Sequence, residues 1–285
     1  MRGTTLTARN LELCYPRGPL VLQLSELSVA PGEILAMIGP NGGGKTTLLR
    51  TMSGLMPPHR GQVLLGELPL YGKGAISRRE RARELAVVLT GTISPGYLRV
   101  EELVDLGRIP HHPPLSGKGK GAEGTEGDRI AVREAMDIVG INQLARRRVG
   151  SLSDGERQRA LIARALAQEP RLMLLDEPGA HLDPPHQTQL FMLLKRLVSE
   201  GVIASALVAT HNIHLALHFA TRLCIVAKGA VEAGDPCELL DNGAVDRAFL
   251  PTTPGQGVSP VTGAGGGALP EVRLDREKGW FVPRE

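Results

Sequence analysis

The 285-residue sequence has only three cysteines, Cys14, Cys224 and Cys237, and none is spaced as CxxC. That excludes a disulfide framework and a thiolate zinc site; a reducing compartment is expected, with the thiols serving as small core residues. No uninterrupted apolar stretch approaches the roughly 20 residues of a membrane-spanning helix. The opening MRGTTLTARNLEL lacks a charged head followed by an apolar segment, so the expectation is a soluble, unexported chain. An excess of one charge is also missing: 33 Lys and Arg face 30 Asp and Glu, a net charge of +3, with no long basic tract. This is weak support for nucleic acid as a partner and permits contact with an anionic membrane face. What the sequence does have is 42% hydrophobic residues, enough to fill one large domain or two small lobes.

Residues 39–47 read GPNGGGKTT, a GxxxxGKT phosphate loop between an apolar run, 34–38, and a helical segment from Thr46. Gly39, Gly42, Gly43 and Gly44 let the backbone curl, with Pro40 and Asn41 in the turn, so that successive N–H groups and the helix N-terminus behind them surround a polyphosphate. Lys45 reaches the β- and γ-phosphates, Thr46 offers a hydroxyl to Mg²⁺, and Thr47 completes the binding segment. The expected ligands are ATP and Mg²⁺. Downstream, the apolar run 172–175 delivers Asp176 and Glu177 at a strand's carboxyl end, where open α/β sheets bind ligands. Asp176 is placed to hold the metal and Glu177 to polarise an attacking water.

Short strands are expected over 4–38, with turns at 16–19 and 30–32, forming an antiparallel N-terminal lobe. Strand resumes at 61–66 and again at 85–89. Val100–Ile109 and Asp128–Val139 read as amphipathic helices flanking a Gly-rich, polar surface loop at 113–127. Helix at 154–168, strand at 172–175, helix at 185–199 and strand at 202–209 complete an α/β core with a helical insertion. One domain is expected over 1–249, with its helical subdomain at about 92–168. The Gly/Pro-rich extension 250–285 ends in an apolar patch, Trp280-Phe281-Val282, read as a terminal strand.

Between the two nucleotide-site motifs lies Leu152-Ser153-Asp154-Gly155-Glu156-Arg157, in which Ser153 and Glu156 fit a capping box. LSDGER followed by QRALIARALAQEPRLMLLDEP resembles the signature motif, helix and catalytic strand of ATP-binding cassette ATPases, whose usual signature is LSGGQ. The resemblance covers nearly all of 4–245. It implies a P-loop NTPase fold with a RecA-like core, an N-terminal antiparallel β lobe and an inserted α-helical subdomain. It also implies a homodimer in which Ser153 and Gly155 act in trans on ATP held by the other subunit. Three further positions match that family: Tyr15 as the adenine-stacking aromatic, Asp183 in the loop crossing the dimer interface, and His211 as the switch histidine at a strand end. His111, His112, His181, His186, His214 and His218 are read as surface or packing residues.

Residues 100–112, VEELVDLGRIPHH, are similar to the helix that carries an ELV..GR.P pattern in ATPases of iron-siderophore, haem and cobalamin importers; Glu102, Leu103, Val104, Gly107, Arg108 and Pro110 supply the match. The resemblance implies an importer subunit at the cytoplasmic face of the cell membrane, bound to integral-membrane permease subunits and served indirectly by an extracytoplasmic substrate-binding protein. Iron-siderophore uptake is the favoured cargo, with haem or cobalamin as alternatives. A soluble regulatory or nucleic-acid-associated cassette is the alternative of another class, and it lacks the basic groove or long arms expected of it. A phosphate-loop kinase is disfavoured because LSDGER and His211 would have no task there. One departure stands out: where relatives carry a glutamine that touches Mg²⁺, this chain has Gly91, within Leu89-Thr90-Gly91-Thr92.

Overall fold

The computed structural model describes residues 4–14, 18–89, 96–112, 124–249, 272–274 and 281–283. Tyr15, Gly91, Trp280 and most of the 113–127 loop lie outside them.

Two sheets organise the molecule. β1 (Leu6–Cys14), β2 (Leu20–Val29), β4 (Arg60–Leu65) and β5 (Leu68–Pro69) form an antiparallel sheet in the order β2-β1-β4-β5. β3 (Ile34–Ile38), β6 (Leu85–Val88), β7 (Leu172–Asp176), β8 (Ser205–Ala209), β9 (Arg222–Ala227) and β10 (Ala230–Gly234) form the second, in the order β10-β9-β3-β8-β7-β6. Its neighbours are parallel except β10, which pairs antiparallel with β9 at the edge. β3, β7 and β8 are buried at every position, the run of apolar residues expected where both faces of a parallel sheet are covered. Because its two faces are buried, β3 belongs to this core sheet and not to the N-terminal lobe that the alternation over 4–38 had assigned it to.

One face of the core sheet packs against the antiparallel sheet and α1 (Lys45–Met52). The opposite face takes α6 (Pro184–Ser199) and the helical region. α7 (Ile213–Phe219), α8 (Pro236–Asp241) and α9 (Ala244–Phe249) close over β3 and β9. The helical region contains α3 (Val100–Asp105), a 3-10 helix over Leu106–His111, α4 (Glu126–Ile138) and α5 (Asp154–Leu166). At the C-terminal end, β11 (Val272–Leu274) and β12 (Phe281–Pro283) pair antiparallel.

Several expectations are corrected. The helix expected to reach Ile109 ends at Asp105. The chain tightens into 3-10 geometry there, since Pro110 lacks a backbone donor and Gly107 lies hard against α5, where a Cβ would fall 2.2 Å from the Arg164 carbonyl oxygen. β8 starts at Ser205 instead of 202; Ile203 is buried from a turn, so its apolarity reported burial and not strand. α2 (Arg78–Glu84) was not anticipated, having no buried residue, and it opens on a Ser77–Glu80 capping box. Of the three cysteines only Cys224 is a core residue; Cys14 is half-buried and Cys237 exposed.

The corner after α3 is fixed by a charge cluster centred on the buried pair Arg108 and Asp128. Arg108 donates to Asp128 Oδ1 (2.9 Å), the Ala167 carbonyl (2.7 Å) and Glu169 Oε2 (2.6 Å), while Thr125 and His112 serve Asp128 Oδ2. Burial alone would raise the Asp128 carboxyl, but the hydrogen bonds from Arg108 and Thr125 outweigh it and hold the group well below the usual carboxylate range. The Ala167 contact also sets a cation at the carbonyl end of α5, the favourable end of a helix dipole. Arg79 and Arg83 of α2 both donate to the Pro110 carbonyl, joining this corner to the core.

Candidate functional site

Register brings the site together. Ala209 of β8 lies beside both Met37 of β3 and Asp176 of β7, so the three strands end level. The Thr210 N–H donates to the Met37 carbonyl and the Glu177 N–H to the Ala209 carbonyl, which continues the alignment one residue beyond the sheet. The phosphate loop, Asp176-Glu177 and Thr210-His211 therefore leave the sheet side by side at its carboxyl edge.

The loop at 39–44 hugs β9. A Cβ at Gly39 would lie 2.0 Å from the Val226 carbonyl oxygen, and one at Gly43 would lie 2.9 Å from the same atom, so neither position accommodates a side chain. Gly44, in the left-handed region at φ 102°, starts α1 with no side-chain cap, which leaves the first-turn N–H groups of α1 for an anion. Lys45 is 7% exposed and folds back over the loop, donating to the Gly39 carbonyl at 2.8 Å and the Pro40 carbonyl at 3.1 Å. Burial lowers its pKa, opposed by the charges of Glu177 and Asp176. A buried ammonium resting on two carbonyl oxygens gains from meeting phosphate instead, because charge-assisted partners are stronger.

Thr46 donates its hydroxyl to Asp176 Oδ1 at 3.1 Å. Asp176 is 4% exposed, and burial raises its carboxyl pKa, with Glu177 adding to the effect. A hydroxyl and a buried carboxylate converging on one point form an oxygen donor pair of the kind a hard divalent cation takes, and a cation there would relieve the desolvated charge. The residues present thus fit Mg²⁺.

Glu177 has φ 46°, an uncommon conformation for a side-chain-bearing residue and one that costs on the order of 1–3 kcal/mol. It turns the carboxylate onto His211. Glu177 Oε2 lies 2.7 Å from His211 Nδ1 and accepts from the His211 backbone N–H at 3.2 Å. Ser153 caps α5: its Oγ accepts from Glu156 N at 3.2 Å, while Glu156 Oε2 accepts from Ser153 N at 2.9 Å. That Ser153 N–H lowers the Glu156 carboxyl. A hydroxyl that accepts keeps its own proton to donate, so capping and a contact to phosphate are compatible at Ser153. A Cβ at Gly155 would meet His186 and Leu182 only at ordinary contact distances, 3.7 and 3.8 Å, so nothing among the described residues demands glycine there. Asp183 caps α6, accepting from His186 N at 3.1 Å and pairing with His186 Nδ1. Its carboxyl is lowered by those bonds.

Lys45, Thr46, Asp176, Glu177 and His211 thus come together, whereas Ser153, Gly155 and Asp183 open the helices α5 and α6. Sequence reasoning missed Gln187, whose side chain bonds to the 179–182 turn and to Asn212, next to His211. No local motif signals it, because its partners are supplied by the fold. Among the described residues no helix is long and apolar enough to cross a membrane.

A phosphate loop, an oxygen pair suited to a cation and a carboxylate held by a histidine, all on one sheet edge, define a phosphate-loop nucleoside triphosphatase. The family model described as ABC transporter matches residues 22–180. The ferric enterobactin transport ATP-binding protein FepC of Escherichia coli K12 is 38% identical over 246 residues, covering 86% of this chain and 86% of that protein. The hemin import ATP-binding protein HmuV of Gloeobacter violaceus is 39% identical over 219 residues, 74% of this chain and 75% of that one. A solved dimeric ATP-binding cassette in a post-hydrolysis state, bound to ADP and Pi, superposes with a TM-score of 0.67 at 26% identity, covering 81% of this chain and 98% of that one. The chain belongs to the ABC transporter family, as an ATP-binding and ATP-hydrolysing cassette.

Proposed function

We propose that this cassette is the energising subunit of an importer that carries an iron chelate of the siderophore type across the cytoplasmic membrane. Two copies close around two ATP molecules at the cytoplasmic face, bound to permease subunits that receive cargo from an extracytoplasmic binding protein. The observation that carries this reading is the ELV..GR.P segment at 102–110, together with 38% identity to a ferric enterobactin transport protein over 86% of both chains.

In this reading Gly39–Thr47 cradle the phosphates, and Lys45 leaves the loop carbonyls for the β- and γ-oxygens. Thr46 and Asp176 hold Mg²⁺, which would neutralise developing charge on the phosphates. Glu177 takes a proton from the attacking water, and His211 fixes the carboxylate's direction. Tyr15 stacks on adenine. Ser153 and Gly155 contact the γ-phosphate bound by the other copy, and Asp183 lies at the subunit boundary. That no described residue requires glycine at 155 supports an approach from outside. A cleft of about 500 Å³ between α3 and α4, lined by Glu101, Glu102, Asp105, Arg129 and Arg133, supports docking of a permease helix bearing both charges.

The test is uptake in the native host. Removing this subunit should abolish ferric siderophore accumulation, and restoring it should recover uptake; the Glu177→Gln form should not. Normal iron-chelate uptake with loss of haem uptake would move the cargo to haem, the second reading favoured by 39% identity to a hemin import protein; loss of cobalamin uptake alone would move it to cobalamin. Salt-sensitive nucleic-acid binding without a copurifying membrane protein would overturn the transport reading.

A further inference from the structure

The Glu177–His211 pair joins two loops that have no strand between them. Glu177 starts the 177–183 turn, and His211 starts the loop into α7. The side chain of Gln187, on the first turn and a half of α6, spans these loops. Its Nε2 donates to the Gly179 carbonyl at 3.1 Å and to the Leu182 carbonyl at 2.9 Å, while its Oε1 accepts from Asn212 Nδ2 at 2.9 Å. The orientation of this link is fixed at both ends by groups that cannot swap roles. The Gly179 and Leu182 carbonyls only accept, so the Gln187 nitrogen faces them. The Leu215 N–H only donates, so Asn212 Oδ1 faces it at 3.1 Å and Nδ2 is left for Gln187. The packing is close as well: a Cβ at Gly179 would sit 3.1 Å from Gln187 Cγ.

From this geometry we infer that Gln187 is a positioning residue for hydrolysis, which holds the turn carrying Glu177 at a fixed distance from the loop carrying His211. The inference rests on the reading of Glu177 and His211 as the hydrolytic pair. Gln187 belongs to neither the phosphate loop nor the Thr46–Asp176 pair, so its work falls on turnover and not on nucleotide binding. Glu177 holds a costly backbone conformation, and a residue so placed keeps its geometry only where its surroundings over-determine it. Gln187 braces the turn two and five residues beyond Glu177, at Gly179 and Leu182, and the neighbour of His211, at Asn212. Asn212 is the relay at the far end, capping α7 with its oxygen and gripping Gln187 with its nitrogen.

Two substitutions cut the link from opposite ends. Gln187→Leu removes all three bonds. Asn212→Ser retains an oxygen able to cap α7 and removes the donor that reaches Gln187, without adding a charge beside His211. Both should lower kcat by on the order of 10- to 100-fold, the range that small misplacements remote from the chemistry produce. KM and direct nucleotide affinity should stay at the unmodified values. The double variant should be no slower than the slower single one, because one link cannot be lost twice. Gln187→Glu, which keeps the acceptor toward Asn212 and turns a carboxylate toward two carbonyl oxygens, should fall with Gln187→Leu. Glu177→Gln runs alongside. If it abolishes hydrolysis while Gln187→Leu turns over normally, or if the two single losses multiply in the double variant, the inference about Gln187 is overturned and the hydrolytic reading stands. If Glu177→Gln itself turns over normally, the hydrolytic reading fails first. An equal fall in kcat and nucleotide affinity with a collapsed melting temperature would assign Gln187 to folding and overturn its role in positioning.

Discussion

Replacing Glu177 with Gln separates chemistry from structure, and the two effects differ in size enough to measure. The amide occupies nearly the same volume, and its oxygen still accepts from the His211 backbone N–H, now at 3.2 Å. What is lost is the charge facing His211 Nδ1 at 2.7 Å. The His211 side chain is 56% exposed, so that contact is largely screened and contributes about 0–1 kcal/mol to folding. The melting temperature should therefore move by no more than about 2–4 °C. The chemical step loses its proton acceptor, a contribution of typically 10²- to 10⁴-fold, or about 2.7–5.5 kcal/mol of barrier. Lys45, Thr46 and Asp176 are untouched, so ATP continues to bind and, with hydrolysis blocked, ATP-held dimers accumulate. Phosphate release, nucleotide titration and size-exclusion chromatography with and without ATP measure the three quantities. Turnover within a fewfold of the unmodified protein would refute the assignment of Glu177 as the base.

Lys45→Ala removes the ammonium that rests on the Gly39 and Pro40 carbonyls; nucleotide affinity should fall by roughly 10- to 150-fold, the equivalent of one charge-assisted bond of about 1.5–3 kcal/mol, and an unchanged titration would refute its phosphate role. Gly107→Ala drives a Cβ to 2.2 Å from the Arg164 carbonyl and 2.9 Å from Ala167 Cβ, so unfolding free energy should drop by about 1–3 kcal/mol, with the test being a denaturant midpoint that does not move. Asp128 is held well below its unfolded value of about 3.9, so its contribution is present above that value and is lost as pH falls through the folded one. Asp128→Asn should be less stable than the unmodified protein at pH 7 and should lose less on acidification to about pH 3; parallel acid curves would refute the account of the Arg108 cluster.

How much of this was legible in the sequence depends on whether partners lie together along the chain. The phosphate loop and the Asp176-Glu177 strand end are contiguous motifs, each flanked by an apolar run that the core sheet buries, so spacing alone placed them. His211, by contrast, was picked out by its match to the cassette family; the structure places it just beyond the buried strand 205–209. α2 was not, because RRERARE presents no apolar period and the helix rests on arginine bonds to the Pro110 carbonyl, 27 and 31 residues away. Its one local sign was the Ser77–Glu80 capping box. Gln187 and Asn212 are 25 residues apart, and Arg108 lies 20 residues from Asp128 and 61 from Glu169. These links exist only once the sheet has set its strand order.

The pattern that singled out the importer class turns out to be mostly interior. Leu103 and Val104 are fully buried, Gly107 is pressed against α5, and Arg108 is 6% exposed with three bonds into the helical region. Glu102 accepts from the Arg99 N–H at 2.7 Å and so caps the start of α3. These residues meet α4, α5 and one another, and their shared task is to fix the angle at which α3 runs into the 3-10 turn. That angle sets the shape of the cleft between α3 and α4, with Glu101 and Asp105 on its rim. On the importer reading proposed above, that cleft is the surface offered to a permease.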